Sequence, residues 1–186
     1  MIIIGITGTD GAGKGAVVDY LVTKKSFAHY SARALFVSEL EKRGLPTDRA
    51  HMRIMANELR RTHGNEYLVR EALARARAHN DGRIIIESIR ASAEVDALHQ
   101  ERGILFAVDA DPHVRYERIQ KRASETDRIS FDAFIQHEQL EMNDPDPNGM
   151  QKAATMKAAD YTFQNNGTVE ELHAQIDEAL KKFGIA

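Results

Sequence analysis

The residues that could carry chemistry begin with a glycine-rich stretch, GTDGAGKG, at positions 8–15. Gly8, Gly13 and Lys14 have the spacing G-x-x-x-x-G-K of a phosphate-binding loop, with Gly15 in place of the usual serine or threonine. The glycines let successive backbone N–H groups point at one anion, and the lysine supplies a charge for the outer phosphates. The spacing therefore predicts a site for a nucleoside triphosphate. Its expected binding residues are Gly8, Asp10, Gly11, Ala12, Gly13, Lys14, Gly15 and Ala16.

Strand and helix patterns alternate around this loop. Apolar runs at 2–7, 83–87 and 103–109 predict buried parallel strands, and weaker runs at 27–31 and 161–164 predict two more. Helical patterns cover residues 14–23, 32–43, 48–62, 66–79, 92–101, 112–122, 130–142 and 169–183. The alternation indicates an α/β fold, a doubly wound five-stranded parallel sheet flanked by helices. In such a fold ligands bind beyond the carboxyl ends of the strands, where the loop lies.

Length and composition restrict the class of protein. A chain of 186 residues, 42% hydrophobic and 28% charged, is expected to form one domain. The net charge of −3 argues against non-specific nucleic-acid binding, and the absence of cysteine excludes disulfides and thiolate metal sites. No run approaches about 18 apolar residues, and the start lacks the basic region of a signal peptide. We therefore expect no nucleic-acid or membrane partner and a cytoplasmic location; the sequence does not indicate the oligomeric state.

Charged residues also follow the predicted strands. Glu87 and Arg90 come at the end of the strand at 83–87, and Ser31 and Arg33 follow the strand at 27–31. The planar guanidinium of arginine matches two phosphate oxygens at once. Arg90 is therefore expected to bind a phosphate close to the glycine-rich loop.

A predicted helix further along carries a second group of polar residues. Arg53 and Asn57, together with Arg49, recur at intervals of four and so share one helix face. That face could read the base and phosphate of an acceptor, or it could be an ordinary solvated surface. Arg60 or Arg61 could also help to fix an acceptor phosphate.

On these residues the chain resembles the nucleoside-monophosphate kinases of the adenylate kinase type, and most of all small adenylate-kinase-related and dephospho-coenzyme-A-kinase-like proteins. The resemblance covers nearly the whole chain. Its segments are GTDGAGKG, HYSARALF, RIIIESIRASAE, VDADPHVRYERIQKR and ADYTFQNNGTVEEL. It implies the P-loop NTPase fold as a single kinase domain, with a helical acceptor-binding insertion at 32–80 and a short lid at 118–130. It also implies ATP and Mg²⁺ as cofactors and a small phosphorylated molecule, first of all a nucleotide, as acceptor.

The resemblance implies roles for the matching residues. Glu87 would assist the magnesium–phosphate site, and Arg90 would grip the acceptor phosphate, with Ser31 and Arg33 nearby. Arg118 would lie against the donor nucleotide and Arg122 at the transferring phosphoryl group, and Arg128 could close over the phosphates from the lid. The expected catalytic residues are Lys14, Arg90, Arg118, Arg122 and Arg128, and the expected substrate-binding residues are Ser31, Arg33, Arg53, Asn57 and Arg90.

Asp10 and Ala16 depart from the adenylate kinase pattern. With Gly15 and Ala16 the loop offers magnesium no hydroxyl at the usual place, so phosphates, water and a carboxylate would hold the ion. Glu87 is the first candidate for that carboxylate and Asp10 the second. Asp10 could equally lie toward the acceptor, as the loop acid of thymidylate kinases does, or be a solvated turn residue. If the acceptor is a hydroxyl, as in dephospho-coenzyme A, Asp10 is the carboxylate expected to act as base.

Two readings from other functional classes also stay open. A P-loop ATPase or nucleotide-binding switch acting on a partner would keep the loop but would not need a second phosphate pocket. An interaction protein that carries a relic loop would not respond to ATP at all.

Overall fold

Isoleucine-rich runs form the centre of the sheet in the computed structural model, which describes residues 1–122, 129–144, 146 and 149–185. β1 (Ile2–Gly8) pairs with β3 (Arg83–Glu87) on one side and with β4 (Ile104–Asp109) on the other. β2 (Ala28–Ser31) and β5 (Tyr161–Gln164) form the edges, in the order β2-β3-β1-β4-β5. All these pairings are parallel, so the carboxyl ends of the five strands share one edge. The expected five-stranded parallel sheet is confirmed.

Helices connect and flank the strands. Those in the described ranges are α1 (Lys14–Lys25), α2 (Ala32–Lys42), α3 (Arg49–His63), α4 (Tyr67–His79), α5 (Ser92–Gln100), α6 (Pro112–Arg122), α7 (Phe131–Met142), α8 (Lys152–Lys157) and α9 (Val169–Lys182). Eight of them lie within two residues of the bounds predicted from periodicity. The short helix α8 was not predicted.

The sheet is covered on both faces because side chains alternate along a strand. Ile4 and Ile6 of β1 pack into one cluster with residues of α1 and α9. Ile3 packs into the opposite cluster with residues of α4 and α5. Full burial of an isoleucine side chain contributes roughly 1.5–3 kcal/mol to folding. The two apolar layers therefore stabilise the sheet, and with it the positions of the loops at its carboxyl edge.

Helices α2, α3 and α4 occupy the stretch predicted as a helical insertion at 32–80. Leu40, Met55 and Leu59 form a small core of their own between α2 and α3. Asp48 is the N-cap of α3, since its carboxylate accepts the backbone N–H groups of Ala50 and His51 at 2.9 and 3.0 Å. Only the backbone of Arg49 is described.

Of the lid expected at 118–130, residues 118–122 complete α6, and residues 129–130 lead into α7. The remaining positions, Arg128 among them, lie outside the described residues. Among the helices that the structure describes, none combines the length and the apolar character needed to cross a membrane.

Candidate active site

The glycine-rich loop joins β1 to α1 at the carboxyl edge of the sheet. Gly11 has a φ of +80°, and a Cβ at this position would lie 2.5 Å from the backbone oxygen of Arg115. Gly13 has a φ of +99°, and a Cβ there would lie 2.3 Å from Nδ2 of Asn165. Both positions therefore require glycine. Gly13 is also the N-cap of α1 and offers no side-chain acceptor to the first N–H groups of that helix, which suits an incoming anion.

Lys14 begins α1, and its side chain folds back over the loop. Its Nζ donates to the backbone oxygens of Gly8 at 3.0 Å and Thr9 at 2.7 Å, and the side chain is only 13% exposed. Burial lowers the pKa of this amine to about 8, and the nearby cations Arg90 and Lys152 add to the decrease. The loop lysine thus has a strongly perturbed proton affinity, a common feature of functional sites.

The other loop residues differ in their exposure. Ala12 is buried, and its backbone oxygen accepts a hydrogen bond from Nδ2 of Asn165 at 2.8 Å. Gly15 is exposed, and a Cβ there would meet nothing within 4 Å. Ala16 packs against the apolar cluster beneath α1. A larger residue would therefore fit at position 15, whereas the side chain of Ala16 is partly buried against its neighbours.

Glu87 ends β3 beside the loop. Its Oε2 lies 2.9 Å from Nε2 of His29, and this hydrogen bond holds the pKa of the Glu87 carboxyl below its ordinary value against the effect of burial. The carboxylate is therefore ionised at neutral pH. After it, Ser88 adopts a φ of +71°, and the N–H groups of Ser88 and Ile89 both donate to the backbone oxygen of Ile6. This turn brings the chain directly to Arg90.

Arg90 lies on that turn with its guanidinium 25% exposed. One guanidinium nitrogen is 3.8 Å from Oε2 of Glu141, on α7, and 3.0 Å from the sulfur of Met150. The backbone N–H of Arg90 donates to Oε2 of the buried Glu94 at 2.7 Å. Arg90 therefore keeps an accessible cationic head on a backbone that is firmly held.

Arg60 does not lie where the sequence placed it. It is buried, and its guanidinium donates to Oε1 of Glu94 at 3.3 and 3.1 Å. Because the second oxygen of Glu94 accepts the backbone of Arg90, Arg60 supports the turn instead of facing an acceptor. Arg61 is 64% exposed and lies 3.8 Å from Asp146.

Lys152, at the start of α8, brings a second buried lysine to the loop. Its side chain is 2% exposed, its Nζ lies 3.3 Å from Oδ1 of Asp10, and it forms an ion pair with Oε2 of Glu141. Lys152 was not among the site residues predicted from the sequence. The available signal was the pattern QKAATMK after a turn-rich break, but α8 has six residues, too few for a helical period to be recognised.

These contacts arrange five charges in an alternating order. Asp10 lies between Lys14, at 3.7 Å, and Lys152, at 3.3 Å. Glu141 in turn lies between Lys152 and Arg90. We call Lys14, Asp10, Lys152, Glu141 and Arg90 the charge row. It connects the loop lysine to the arginine of the neighbouring turn across the carboxyl edge of the sheet.

Helix α6 contributes two of the predicted arginines. Arg118 donates to the backbone oxygen of Asn165 at 2.8 Å, and Asn165 in turn contacts the loop through Ala12. Arg118 therefore lies beside the loop, on the side of β5. Arg122, the last residue of α6, is exposed.

Arg115, which the sequence analysis did not single out, also lies on α6. It is buried, and its guanidinium donates to the backbone oxygens of Ala110 at 2.8 Å and Asp10 at 3.4 Å. It also forms a two-pronged ion pair with Glu138 of α7. Arg115 thus ties the loop to both helices that border the predicted lid.

Apart from Arg90, the predicted acceptor residues are not members of the charge row. The hydroxyl of Ser31 caps α2 by accepting the N–H of Ala34 at 3.4 Å. Arg33 and Arg53 are exposed, and Asn57 is half-buried. Within the part of the chain that the structure describes, no hydrogen bond or ion pair joins these side chains to the row.

Two carboxylates near the loop are candidates for magnesium. Across the described residues, no three or more His, Asp or Glu side chains converge as a metal-binding group. Glu87 is ionised and close enough to Lys14 to affect its charge, whereas Asp10 is engaged by two lysines. One carboxylate suits an ion that is held mainly by phosphates and water.

The sequence matches a known family over most of its length. Residues 4–146 match AAA_18, described as an AAA domain, and this match covers well over half of the chain, including the loop and the Arg90 turn. The chain belongs to the AAA_18 family. This AAA_18 chain is also similar to a UPF0200 protein of Methanocaldococcus jannaschii, at 27% identity over 185 residues that cover 98% of this chain and 90% of the relative.

Solved structures resemble the AAA_18 chain over almost its full length. Shikimate kinase from Aquifex aeolicus superposes with a TM-score of 0.58 at 15% identity, covering 100% of this chain and 99% of its own. A sugar kinase from Janibacter sp. gives 0.54 at 19% identity, covering 100% and 96%. At such identities the likeness concerns the fold. The AAA_18 chain therefore has the P-loop NTPase α/β fold.

Proposed function

We propose that this AAA_18 protein is a small-molecule kinase that transfers the γ-phosphoryl group of ATP to a phosphorylated acceptor, in the first place a nucleoside monophosphate. The observation that supports this best is the charge row. It carries a cation at the loop, Lys14, and a second cation on the neighbouring turn, Arg90, and each of them could bind one phosphate. A nucleotide switch or ATPase without an acceptor would need only the first.

On the donor side, Lys14 and the backbone N–H groups at the start of α1 would hold the β- and γ-phosphates. In the structure the Lys14 ammonium donates to the carbonyls of Gly8 and Thr9 in the same loop. Only a short side-chain movement would therefore bring it to a phosphate bound at the loop. Arg118, beside the loop, and Arg122, at the end of α6, would neutralise charge that develops during transfer. Arg128 belongs to the same proposal and lies outside the described residues.

Magnesium would be held by the donor phosphates, with Glu87 as the first protein carboxylate and Asp10 as the second. When bound, the ion would neutralise negative charge on the β- and γ-phosphates. The residues themselves position and stabilise: phosphoryl transfer depends mostly on alignment and on charge at the transferring group.

On the acceptor side, Arg90 would bind the acceptor phosphate in place of Glu141. The acceptor phosphate oxygen is already nucleophilic, so no general base is required. Arg33, Arg53 and Asn57 would contact more distant parts of the acceptor, from α2 and α3. Ser31 would lie near it at the end of β2.

The test is phosphotransfer by the wild type and by Arg90→Ala with ATP, magnesium and separate acceptors: AMP, CMP, UMP, GMP, the deoxy forms and dephospho-coenzyme A. We expect Arg90→Ala to lower kcat/KM for the acceptor by about 100-fold, because a hydrogen bond to a charged group contributes about 1.5–3 kcal/mol. Its Kd for ATP should stay within about twofold. Arg77→Ala, on the exposed surface of α4, is the matched control and should change neither value.

Full transferase activity of Arg90→Ala would contradict the acceptor assignment. Hydrolysis of ATP by the wild type with no acceptor phosphorylated would instead favour an ATPase or a switch.

A hydroxyl kinase is the second candidate, and two observations favour it. The structural neighbours named above are called a shikimate kinase and a sugar kinase, and both kinds of acceptor carry hydroxyl groups. Asp10 also presents a carboxylate at the loop, where it could accept a hydroxyl proton. In the acceptor panel, transfer to dephospho-coenzyme A and to none of the nucleoside monophosphates would support this candidate.

A further inference from the structure

We propose that Lys152 is a further catalytic residue, the cation that contacts the phosphoryl group during transfer, between the donor site of Lys14 and the acceptor site of Arg90. This inference rests on the proposed function. In a direct transfer the moving group lies between the donor phosphates and the acceptor. Lys152 occupies the corresponding position in the charge row, since its two carboxylate partners are shared with Lys14 on one side and with Arg90 on the other.

The backbone of Lys152 is held rigidly against both sites. Thr155, one turn further along α8, has its hydroxyl 3.1 Å from the hydroxyl of Thr7 at the end of β1. The N–H of Gln151 donates to the backbone oxygen of Arg90 at 2.7 Å. Anchors on the central strand and on the acceptor turn fix where the lysine side chain begins, which is what a catalytic group needs.

The side chain of Lys152 is free to change partners although its backbone is fixed. A lysine carries its charge on a flexible four-carbon stem, so Nζ can leave Asp10 and Glu141 when phosphates supply other negative charge. In the structure these two carboxylates neutralise a lysine side chain that is only 2% exposed. They therefore stand in for the phosphate oxygens that Lys152 would contact during transfer.

Stability alone does not account for a lysine at this position. A buried ion pair is commonly no more stabilising than a well-packed apolar group of similar volume, because both charges lose their hydration. A methionine of similar length would fill the same space. The charge of Lys152 is therefore better explained by contact with an anionic substrate.

The test compares Lys152→Met with Lys157→Met, an exposed lysine on the same helix that serves as the matched control. We expect Lys152→Met to lower kcat by at least 100-fold while the Kd for ADP changes less than about threefold. ADP with magnesium and aluminium fluoride, which imitates the phosphoryl group in transfer, should raise the Tm of the wild type and of Lys157→Met above that with ADP alone. Lys152→Met should lose this additional increase, and Lys152→Arg should keep part of it.

Removal of Lys152 leaves Asp10 and Glu141 without their common cation, so Lys152→Met could unfold. In that event Lys152→Met/Glu141→Gln, which also removes one of the two negative charges beside Lys152, is measured in its place. A kcat within threefold of wild type, or a full fluoride-dependent increase in Tm in the variant, would overturn the inference. So would the absence of that increase in the wild type.

The two proposals fail separately. If the wild type phosphorylates no acceptor, the proposed function is wrong, and the fluoride measurement still decides whether Lys152 contacts a transferring group. If the wild type is an active kinase and Lys152→Met is equally active, only the role of Lys152 is wrong.

Discussion

At the scale of single residues, Lys14 has the property that is easiest to measure. Its ammonium is held by two loop carbonyls, and its pKa is lowered from 10.5 to about 8, chiefly by burial. A donor phosphate would be attracted to the charged form only. The native protein therefore begins to lose this charge at a pH where an exposed lysine is still fully protonated.

We predict that ATP binds more weakly as the pH rises above about 8, by up to tenfold in Kd per pH unit, because a proton must then be taken up on binding. Between pH 6.5 and 7.5 Lys14 should add no pH dependence. Its lowered pKa also means that the unfolded chain holds this proton more tightly, so Lys14 makes stability rise with pH between about 8 and 10.5. Isothermal titration of ATP from pH 6.5 to 9.5 measures the first effect.

Lys14→Arg is the control for this prediction, since a guanidinium stays charged throughout the range. Its ATP affinity, even if lower overall, should not fall above pH 8. The same decline in both proteins would show that another group is responsible.

The sequence could identify the residues whose position follows from local rules. The spacing of the loop identifies Lys14, and the buried strand before them identifies Glu87 and Arg90. It was therefore predictable that all three lie at the carboxyl edge of the sheet. Lys152 and Glu141 could not be found this way. No spacing rule connects positions 10, 141 and 152, which meet only because α7 and α8 pack over the loop.

At the scale of elements, a buried ion pair connects the helical insertion to the acceptor turn. Arg60 belongs to α3, and Glu94 lies in the first turn of α5, where its second oxygen accepts the N–H groups of Arg90 and Ala91. Glu94 is fully buried, so its charge depends on these partners. Movement of α3 would therefore shift Glu94 and, through it, the backbone of Arg90.

We predict that Arg60→Met lowers the free energy of unfolding by about 3–5 kcal/mol, because Glu94 would lose the cation that compensates its buried charge. Arg61→Met should cost less than about 1 kcal/mol, since Arg61 is largely exposed and its distance to Asp146 is 3.8 Å. Urea unfolding of both variants measures the difference. Equal stability would mean that Glu94 does not depend on Arg60.

Elements were predictable where their own periodicity is long enough. The five strands and the longer helices each carry a run of apolar residues that matches their period. Helix α8 has two buried residues, Lys152 and Thr155, and neither is apolar. Its position is set by hydroxyl and charge contacts to distant parts of the chain, which no local apolar pattern records.

At the scale of the whole molecule, two apolar layers cover the faces of the sheet, and the charge row lies at the carboxyl edge of the sheet. Sheet order, strand direction and the AAA_18 match agree on a P-loop NTPase fold. If the loop is a working nucleotide site, its occupation must stabilise the entire domain, since only the folded chain presents it.

We predict that ATP with magnesium, at 100 times its Kd, raises the free energy of unfolding by about 2.7 kcal/mol and the Tm by several degrees. Lys14→Met, which removes the loop charge, should show less than half of this increase at the same ATP concentration. Thermal unfolding followed by circular dichroism measures both. If ATP leaves the wild-type Tm unchanged, the loop is a relic and the kinase proposal falls with it.

The charge row also bears on competition inside a cell, where free inorganic phosphate is abundant. A bare cationic site would fill with that ion. Here the carboxylates of Asp10 and Glu141 already pair with the cations of the charge row. A lone phosphate would have to displace these carboxylates, and it has no ribose or base whose contacts would offset their loss. In the proposed reaction a polyphosphate and an acceptor would together replace both carboxylates, so the charge row would favour that pair over a lone phosphate.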